Sequence, residues 1–310
     1  MAITAGMVKE LREVTGAGMM DCKKALTETN GDIDKAVEFL REKGLAAAEK
    51  KAGRIAAEGI VAAIISEDEK SAAIVEVNSE TDFVAKNENF RKYVAAVADQ
   101  VLTSSASDVN EFLEEKWALD NSKTVKEELS TQISIIGENM SIRRYERIFT
   151  TDGFVTSYIH GGGRIGILIE VATTVNNEQT QEAAKNVAMQ VAAMSPKYIR
   201  REDMAEDFIN HEKDIIKAQI MNDPQLSKKP ENIIEKMMEG RLNKELKEIC
   251  LLDQVYVKDG DLTVAKYLDS VAKEVGAAVE IKKFVRFETG EGLAKREEDF
   301  AEEVAKQMGN

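Results

Sequence analysis

The sequence predicts an α+β fold in which a small helical module precedes a core of two related halves, each with an antiparallel sheet. Three observations support this prediction. Short amphipathic helices fill residues 1–44, and strand-like apolar runs alternate with helical spacing over residues 58–196. A helical stretch at 197–243 then interrupts the second half, before strand-like patterning returns at 244–288. The 310 residues, 43% of them hydrophobic, are enough to bury the cores of two or three domains.

The first module is predicted to contain three short helices. Thr4 caps the first helix, Met19 to Thr29 forms the second, and Asp32 caps the third, which is expected to end at Gly44. Residues 45–57 are rich in Ala and Lys and are expected to form an exposed linker with partial helicity. Three helices of this length share a small core, so the module is best suited to protein interaction.

The core contains a weak internal repeat, whose copies lie at an offset of 153 − 59 = 94 residues. Three pairs of segments match at this offset without a gap: Gly59-Ile60-Val61 with Gly153-Phe154-Val155, Ile74-Val75-Glu76-Val77 with Leu168-Ile169-Glu170-Val171, and Val97-Ala98 with Val191-Ala192. Each copy is predicted to fold as two antiparallel strands and a helix. In the second copy, Gly161-Gly162-Gly163 forms the turn. The halves therefore span residues 58–148, and 149–196 together with 244–288.

Two further helical stretches are predicted. Residues 109–145, between the copies, carry apolar side chains at helical spacing, with Trp117 as a core or interface anchor. Over residues 197–243, helices on either side of a loop at 222–230 form an antiparallel hairpin that is inserted into the second half.

The second half resumes after this hairpin. It is predicted to contain a strand that starts at Val255, a helix from Val264 to Val275 and a strand from Glu280 to Glu288. Residues 289–310 form the last module, with a short acidic helix from Ala294 to Met308.

The bulk composition favours an intracellular protein that does not bind nucleic acid or membrane. The net charge of −14 argues against nonspecific nucleic-acid binding, which needs clustered Lys and Arg, and solubility alone explains the acidity. Two cysteines, Cys22 and Cys250, provide neither a disulfide framework nor a metal-ligand cluster. The N-terminus lacks a signal-peptide pattern, and no apolar stretch has the length of a membrane span. We therefore expect a cytoplasmic location.

One run of residues stands out as a candidate functional segment, because it places a large aromatic between an acid and a base. Thr81, Asp82, Phe83 and Val84 follow an apolar strand and precede a helix that starts near Asn87. Such junctions often carry function. Two interpretations of the aromatic remain open on the residues alone: it caps a local hydrophobic cluster, or it is directed at a partner.

The segment Thr81-Asp82-Phe83-Val84-Ala85-Lys86-Asn87 resembles the signature of the elongation factor Ts family of translation factors. Other blocks match the family in the same order: Leu11 to Leu26, Asn30 to Asp34, Ile136-Gly137-Glu138-Asn139 with Arg143-Arg144, His160-Gly161 before Arg164-Ile165-Gly166, and Phe284 to Gly292. The resemblance spans almost the whole chain, and long ordered blocks are far more specific than a short glycine pattern.

This resemblance implies a function and a fold. Family members exchange guanine nucleotide on elongation factor Tu, the GTPase that carries aminoacyl-tRNA to the ribosome. The first module would be ubiquitin-associated-like, and the helical hairpin would be the family's coiled-coil projection. The hairpin's apolar stripe does not decide between a partner and a second copy of the chain, so a one-to-one complex, a homodimer and a two-to-two complex with the GTPase all stay open.

The resemblance also assigns roles to particular residues. Phe83 would act as a wedge in the GTPase, with Asp82 paired to a polar or basic group. Ile136, Gly137 and His160 match supporting positions near this contact.

Two further surfaces are implied by the family. Met19, Met20 and Lys23 match the face of the first module that grips the GTPase domain, and Val257 lies in a segment that contacts another domain of the partner. On the residues alone, both methionines could instead be helical core, and the lysine could be merely solvated.

Enzymatic chemistry finds little support. His160-Gly161-Gly162-Gly163 superficially matches an oxyanion-hole segment of lipases, but no G-x-S-x-G elbow accompanies it. There is no phosphate-binding P-loop, and neither a cofactor nor a metal site is predicted. Three hypotheses remain: an exchange factor without covalent chemistry, a ubiquitin-associated-like adaptor or chaperone without exchange activity, and a hydrolase that uses His160.

Overall fold

The structure, a computed structural model, describes residues 3–294, and its first three helices form a module with its own core. These helices are α1 (Ala5–Thr15), α2 (Met19–Glu28) and α3 (Ile33–Lys51). As predicted, the Thr4 side chain caps α1 by accepting the Met7 N–H, and Asp32 caps α3. The apolar faces of the helices meet in a cluster that consists of Val8, Leu11, Cys22, Ala25, Leu26 and Ala36.

The third helix is longer than the sequence predicts, because Gly44 does not end it. It continues to Lys51, so residues 45–51 of the predicted linker are helical. Gly44 is buried where α3 packs on the helix at Val125–Ile136, and a Cβ atom there would lie 3.6 Å from the Ser130 carbonyl oxygen. The prediction of a helix end at Gly44 is therefore wrong, since packing between the two helices outweighs the low helix propensity of glycine.

The first half of the core is a three-stranded antiparallel sheet with helices on one face. Its elements in chain order are β1 (Glu58–Ile65), β2 (Ser71–Ser79), α4 (Asp82–Lys86), α5 (Glu88–Thr103), α6 (Val109–Glu114), β3 (Lys116–Trp117), β4 (Asp120–Thr124), α7 (Val125–Ile136) and β5 (Met140–Phe149). The strand order is β1-β2-β5, while β3 and β4 form a separate hairpin. The prediction that residues 109–145 are helical throughout is wrong. The apolar side chains of this segment belong to α6, the β3–β4 hairpin, α7 and β5. Trp117 is buried in the core.

The second half repeats this plan. Its elements are β6 (Gly153–His160), β7 (Ile165–Ala172), α8 (Glu178–Met194), α9 (Glu206–Asn222), α10 (Glu231–Ile249), β8 (Val255–Tyr256), β9 (Asp259–Thr263), α11 (Val264–Val275) and β10 (Glu280–Glu288). The strand order is β6-β7-β10, again antiparallel, with β8 and β9 as the small hairpin. The glycine turn between β6 and β7, and the bounds of α11 and β10, are confirmed. The helix predicted over Ala294 to Met308 falls almost entirely outside the described residues.

The predicted helical hairpin is present as α9 and α10, joined by a loop at residues 223–230. Its two helices share an apolar cluster made of Met204, Ile216, Ile220, Leu242, Leu246 and Cys250. Among residues 3–294, no helix is both long and apolar enough to cross a membrane.

The two sheets pack face to face and join the halves into one core. Their inner faces meet in a cluster made of Val61, Ala72, Ile74, Ile148, Val155, Leu168, Val285 and Phe287. The outer face of the first sheet is covered by α5, and that of the second by α8. The β6–β7 turn is held against the first half, where the Val61 N–H donates to the Gly163 carbonyl at 2.7 Å.

The strands of the two halves have the same pairing register at the predicted offset. Gly59 lies opposite Asn78, and Gly153 lies opposite Ala172, so both partners differ by 94 (153 − 59 and 172 − 78). The repeat in the strands is thus confirmed.

The long helices of the two halves are related by a smaller offset. Asn87 caps α5 and Asn177 caps α8, a difference of 177 − 87 = 90. Gln100 and Gln190, also 90 apart, each hold a small hairpin with the same pair of bonds: the side-chain amide donates to a strand carbonyl, and an N–H of the hairpin turn donates to the side-chain oxygen.

The gapless alignment of Val97-Ala98 with Val191-Ala192 is therefore wrong. The first half contains 94 − 90 = 4 additional residues between its second strand and its long helix. The helix α4 lies in this longer connection, and the second half has no counterpart of it among the described elements.

Candidate partner interface

The short helix α4 presents one aromatic ring to solvent. The Thr81 side chain accepts the Val84 N–H at 3.4 Å and caps its start, and Asn87 ends it and caps α5. Val84 and Ala85 are buried against the core of the first half, which fixes one face of the helix. Phe83 projects from the other face with 79% of its surface exposed, the largest exposure among the large apolar side chains that the structure describes. It does not cap a local cluster.

Two charged side chains flank the exposed ring. Lys86 and Asp82 form an ion pair across one turn of the helix at 2.5 Å, and the Lys86 Nζ lies 5.8 Å from the centre of the Phe83 ring. Because both charges are exposed, the pair adds little stability to the chain itself. An apolar centre with a polar rim is the usual anatomy of the energetically dominant part of a protein interface.

The N-terminal end of α4 is bonded to the loop after α7, next to the predicted supporting residues Ile136, which is the last residue of α7, and Gly137. The Glu138 carboxylate accepts the Thr81 N–H at 3.0 Å and the Thr81 hydroxyl at 2.7 Å. Gly137 ends α7 with a φ of 89°, a conformation that favours glycine, and so turns the chain toward Thr81.

A second carboxylate strengthens the same junction from the opposite direction. Glu80 accepts the Asn139 N–H at 2.6 Å and pairs with Arg54 at 3.4 Å. The Asn139 side-chain amide donates to the Arg54 carbonyl at 2.8 Å. The segments around residues 54, 80 and 138 therefore form one hydrogen-bonded unit beneath α4.

The C-terminal end of α4 is bonded to the turn that follows His160. Arg91 donates from Nε to the Ala85 carbonyl at 3.0 Å and from Nη2 to the Gly162 carbonyl at 2.7 Å. The His160 ring is exposed, with its Nδ1 3.0 Å from the Tyr158 hydroxyl. The structure thus brings the aromatic segment, the loop after α7 and the His160 turn together.

The remaining predicted residues lie on other surfaces. Met19 and Met20 are 61% and 75% exposed at the start of α2, so the interpretation of these side chains as helical core is wrong. Lys23 is exposed on the same helix, and Val257 is exposed next to β8. No hydrogen bond or ion pair within residues 3–294 joins any of these four residues to α4.

The described residues offer little that resembles catalytic machinery. Within residues 3–294, no group of three or more His, Cys, Asp or Glu side chains is placed to hold a metal ion. In that same part of the chain, the only side-chain hydrogen bond of His160 is the one to Tyr158, so no Ser or Cys is activated by this histidine there.

The sequence patterns do not predict the residues that hold α4 in place. Glu138 belongs to a motif of the family resemblance, but nothing local in the sequence assigns a role to it or to Arg91. The four-residue difference between the strand offset and the helix offset is the sequence signal that points to α4 as an addition to the repeat.

The chain is similar in sequence to a family of known proteins. The sequence model of the family described as Elongation factor TS matches residues 80–291, a range that begins one residue before the α4 cap and ends at the turn after β10. Curated proteins named Elongation factor Ts match almost the entire chain. The one from Clostridium botulinum (strain Eklund 17B / Type B) is 55% identical over 307 residues, which is 99% of both chains. The one from Clostridium perfringens (strain ATCC 13124) is 57% identical over 307 residues, again 99% of both.

The chain therefore belongs to the elongation factor Ts family. Its role is that of a translation elongation factor.

Proposed function

We propose that the chain is a guanine-nucleotide exchange factor for elongation factor Tu. It binds the GDP-bound GTPase, promotes release of GDP and leaves when GTP binds. The observation that carries this proposal is the exposure of Phe83 on a helix whose opposite face is buried, within the segment that resembles the family signature. Exposure of this rigidly supported aromatic ring to water is unfavourable for the free chain. Burial of the ring against a partner removes this cost.

Exchange of this kind follows from thermodynamic linkage and involves no covalent chemistry. If the chain binds the nucleotide-free GTPase more tightly than the GDP-bound form, GDP must bind the complex more weakly by the same factor. Release is faster when the same contacts also stabilise the transition state for GDP departure.

The residues around α4 take distinct roles in this proposal. Phe83 inserts into the GTPase beside its switch region and displaces the segment that helps to hold magnesium. Asp82 pairs with a polar or basic group of the partner, while the buried Val84 fixes the helix. Ile136, Gly137 and His160 support the wedge and help to displace the backbone amides that bind the GDP phosphates.

Two other surfaces add affinity. Met19, Met20 and Lys23 form a contact face on the first module, where adaptable methionine side chains suit an irregular partner surface. Val257, beside the small hairpin of the second half, contacts a different domain of the GTPase. A cytoplasmic location and a one-to-one or two-to-two complex complete the proposal.

The magnitude available to Phe83 shows how far one residue can carry the effect. Burial of a phenylalanine side chain contributes about 1.5–3 kcal/mol. Each tenfold weakening of GDP needs about 1.4 kcal/mol. Phe83 alone can therefore weaken GDP binding by roughly tenfold to a hundredfold. A larger effect requires the distributed contacts described above.

The test is release of a fluorescent GDP analogue from purified elongation factor Tu with magnesium present. The native chain should accelerate release, and Phe83→Ala should lower the acceleration by about tenfold to a hundredfold. Phe149→Ala is the matched control, because Phe149 is also 64% exposed but lies at the end of β5. This control should accelerate release as the native chain does.

The other hypotheses predict different results in the same assay. An adaptor or chaperone would bind the GTPase without accelerating release. A hydrolase would show substrate turnover that His160→Ala abolishes in the absence of any GTPase. Equal loss in Phe83→Ala and Phe149→Ala would contradict a specific wedge.

A further inference from the structure

The position of Phe83 cannot be set by α4 alone. Five residues form little more than one helical turn, and an isolated helix of this length is unstable in water. Burial of Val84 and Ala85 fixes which face points inward. This burial does not fix the tilt of the helix axis, which depends on the contacts at the two ends of the helix.

The first end is held by the two-pronged bond of Glu138. One carboxylate oxygen accepts the Thr81 N–H at 3.0 Å, and the other accepts the Thr81 hydroxyl at 2.7 Å. The same hydroxyl oxygen accepts the Val84 N–H, so the carboxylate orients the cap itself. Bonds to an ionised acceptor are about twice as strong as neutral ones.

The second end is held by Arg91. The Ala85 carbonyl belongs to the last turn of α4, where backbone carbonyls have no partner within the helix. Arg91 supplies this partner from Nε and uses Nη2 to bond the Gly162 carbonyl. Its planar guanidinium fixes the distance between the two acceptors. The end of α4 and the turn after His160 are thereby fastened to each other.

The internal repeat provides a comparison within the same chain. At the helix offset, Arg91 corresponds to Gln181 (181 − 91 = 90), which bonds Glu69 and Asn176 instead. Gly137 corresponds to Gly276 (276 − 137 = 139), and both end a helix in the left-handed region, so Glu138 corresponds to Ala277. Both polar groups are thus found in the half that contains α4 and are replaced in the other half.

The geometry points to Glu138 and Arg91 as positioning residues for nucleotide exchange, which hold α4 at both ends so that Phe83 enters the GTPase at a fixed angle to the His160 turn. This inference rests on the proposed function. Both residues act through Phe83, so their loss should lower the maximum rate of GDP release more than it raises the concentration of chain needed for half of that rate.

Matched controls exist for both substitutions. Glu111 accepts the N–H and the hydroxyl of Ser107, as Glu138 accepts those of Thr81, although both bonds of Glu111 end on one carboxylate oxygen. Arg147 spans two backbone carbonyls, those of Ser104 and Ala106, as Arg91 does. None of these control bonds involves α4.

The experiment compares Glu138→Ala and Arg91→Met with Glu111→Ala and Arg147→Met, in the full chain with elongation factor Tu and the fluorescent GDP analogue. The first two should lower the maximum release rate at least fivefold, and the controls should stay within twofold of native. In a Phe83→Ala background, Glu138→Ala and Arg91→Met should change the rate by less than twofold, because the group they position is absent. Native rates in both variants, or full additivity with Phe83→Ala, would overturn the inference.

A second readout does not depend on exchange. A tryptophan placed by Phe83→Trp in a Trp117→Phe chain reports the mobility of α4 through fluorescence anisotropy. Glu138→Ala and Arg91→Met should lower this anisotropy, while the controls leave it unchanged. Unchanged anisotropy in all four variants would overturn the inference even if the chain proved to have no exchange activity. If Glu138→Ala fails to fold, Glu138→Gln keeps one acceptor oxygen, and the same measurements apply to it with a smaller expected change.

Discussion

Glu76 lies at the centre of the contact between the two halves, and its loss should destabilise the whole core. It is a strand residue of β2 with no exposed surface. Its carboxylate accepts four hydrogen bonds, from the Gly290 N–H at 2.8 Å, Asn78 Nδ2 at 3.1 Å, Arg143 Nη1 at 3.0 Å and Arg144 Nε at 2.5 Å. Because Gly290 follows β10, these bonds fasten the end of the second half to the sheet of the first.

The expected cost of Glu76→Gln follows from what its partners lose. Breaking a buried ion pair by removal of one member costs about 3–5 kcal/mol, because the other charge stays without compensation. Arg143 and Arg144 have 23% and 30% of their side chains exposed and regain some hydration, so the low end, about 3 kcal/mol, applies. In a chain of this size each kcal/mol shifts Tm by about 2–4 °C, which gives a decrease of roughly 6–12 °C.

The cost should also depend on pH. Burial raises the pKa of the Glu76 carboxyl, but the hydrogen bonds from Gly290, Asn78, Arg143 and Arg144 outweigh it, so the pKa lies below its ordinary value of 4.5. A carboxyl with a lowered pKa stabilises the folded state fully above its unfolded pKa, and this stability is lost as the pH falls through the folded pKa. The difference between native and Glu76→Gln chains should therefore shrink below about pH 4.5.

Thermal unfolding followed by circular dichroism at pH 7 and at pH 4 measures both effects. Glu280→Gln is the control, because Glu280 is half exposed and forms a surface pair with Lys282 at 2.8 Å, which contributes about 0–1 kcal/mol. A Tm decrease in Glu76→Gln no larger than in this control, or a difference that grows as the pH falls, would refute the reasoning.

Two further predictions concern close packing and thiol reactivity. Gly153→Ala should destabilise the chain by about 1–3 kcal/mol or more, since the new Cβ would lie 1.9 Å from the Val171 carbonyl oxygen, whereas Gly240→Ala in α10 meets open space and should stabilise it slightly. Urea unfolding midpoints measure both, and a shift of the same sign in the two variants would contradict the packing argument. Burial raises the pKa of the Cys250 thiol to about 11, and Cys22 is fully buried, so neither should react with Ellman's reagent at pH 8 until the chain is denatured. Rapid reaction of the folded chain would contradict this burial.

The elements that the sequence predicts well are those whose ends are set locally. The bounds of α11 are predicted because Thr263 caps its start and Gly276 ends it in the left-handed region, and both signals lie next to the helix in the chain. Gly44 shows the opposite case. It looks like the same end signal, but its contact with Ser130 on a distant helix decides the conformation.

The error in the repeat has a physical origin in helix periodicity. Apolar residues recur about every 3.6 positions, so a shift of four residues still places an apolar side chain over an apolar one. Val97 therefore matches Val191 in sequence, although the capping residues show that α5 and α8 are related by 90 positions. The gapless alignment therefore hides the longer connection between β2 and α5, which contains Phe83.

The candidate site was only partly predictable from the sequence. Phe83 was identifiable from its neighbours and from the family signature. Its support was not, because Glu138 lies 57 positions from Thr81, and the Gly162 carbonyl lies 71 positions from Arg91. The first contact follows from the pairing of β2 with β5, where Ser79 lies opposite Met140, and the second follows from the packing of the two sheets against each other. No local pattern specifies either of them.

The central claim is that the chain weakens GDP binding because it prefers the nucleotide-free GTPase. The most direct measurement is titration calorimetry of this chain into elongation factor Tu, once without nucleotide and once saturated with GDP. We expect tighter binding to the nucleotide-free form, by the same factor by which saturating chain raises the Kd of GDP. Equal affinity for the two forms would contradict it, since a ligand that binds both states equally shifts neither.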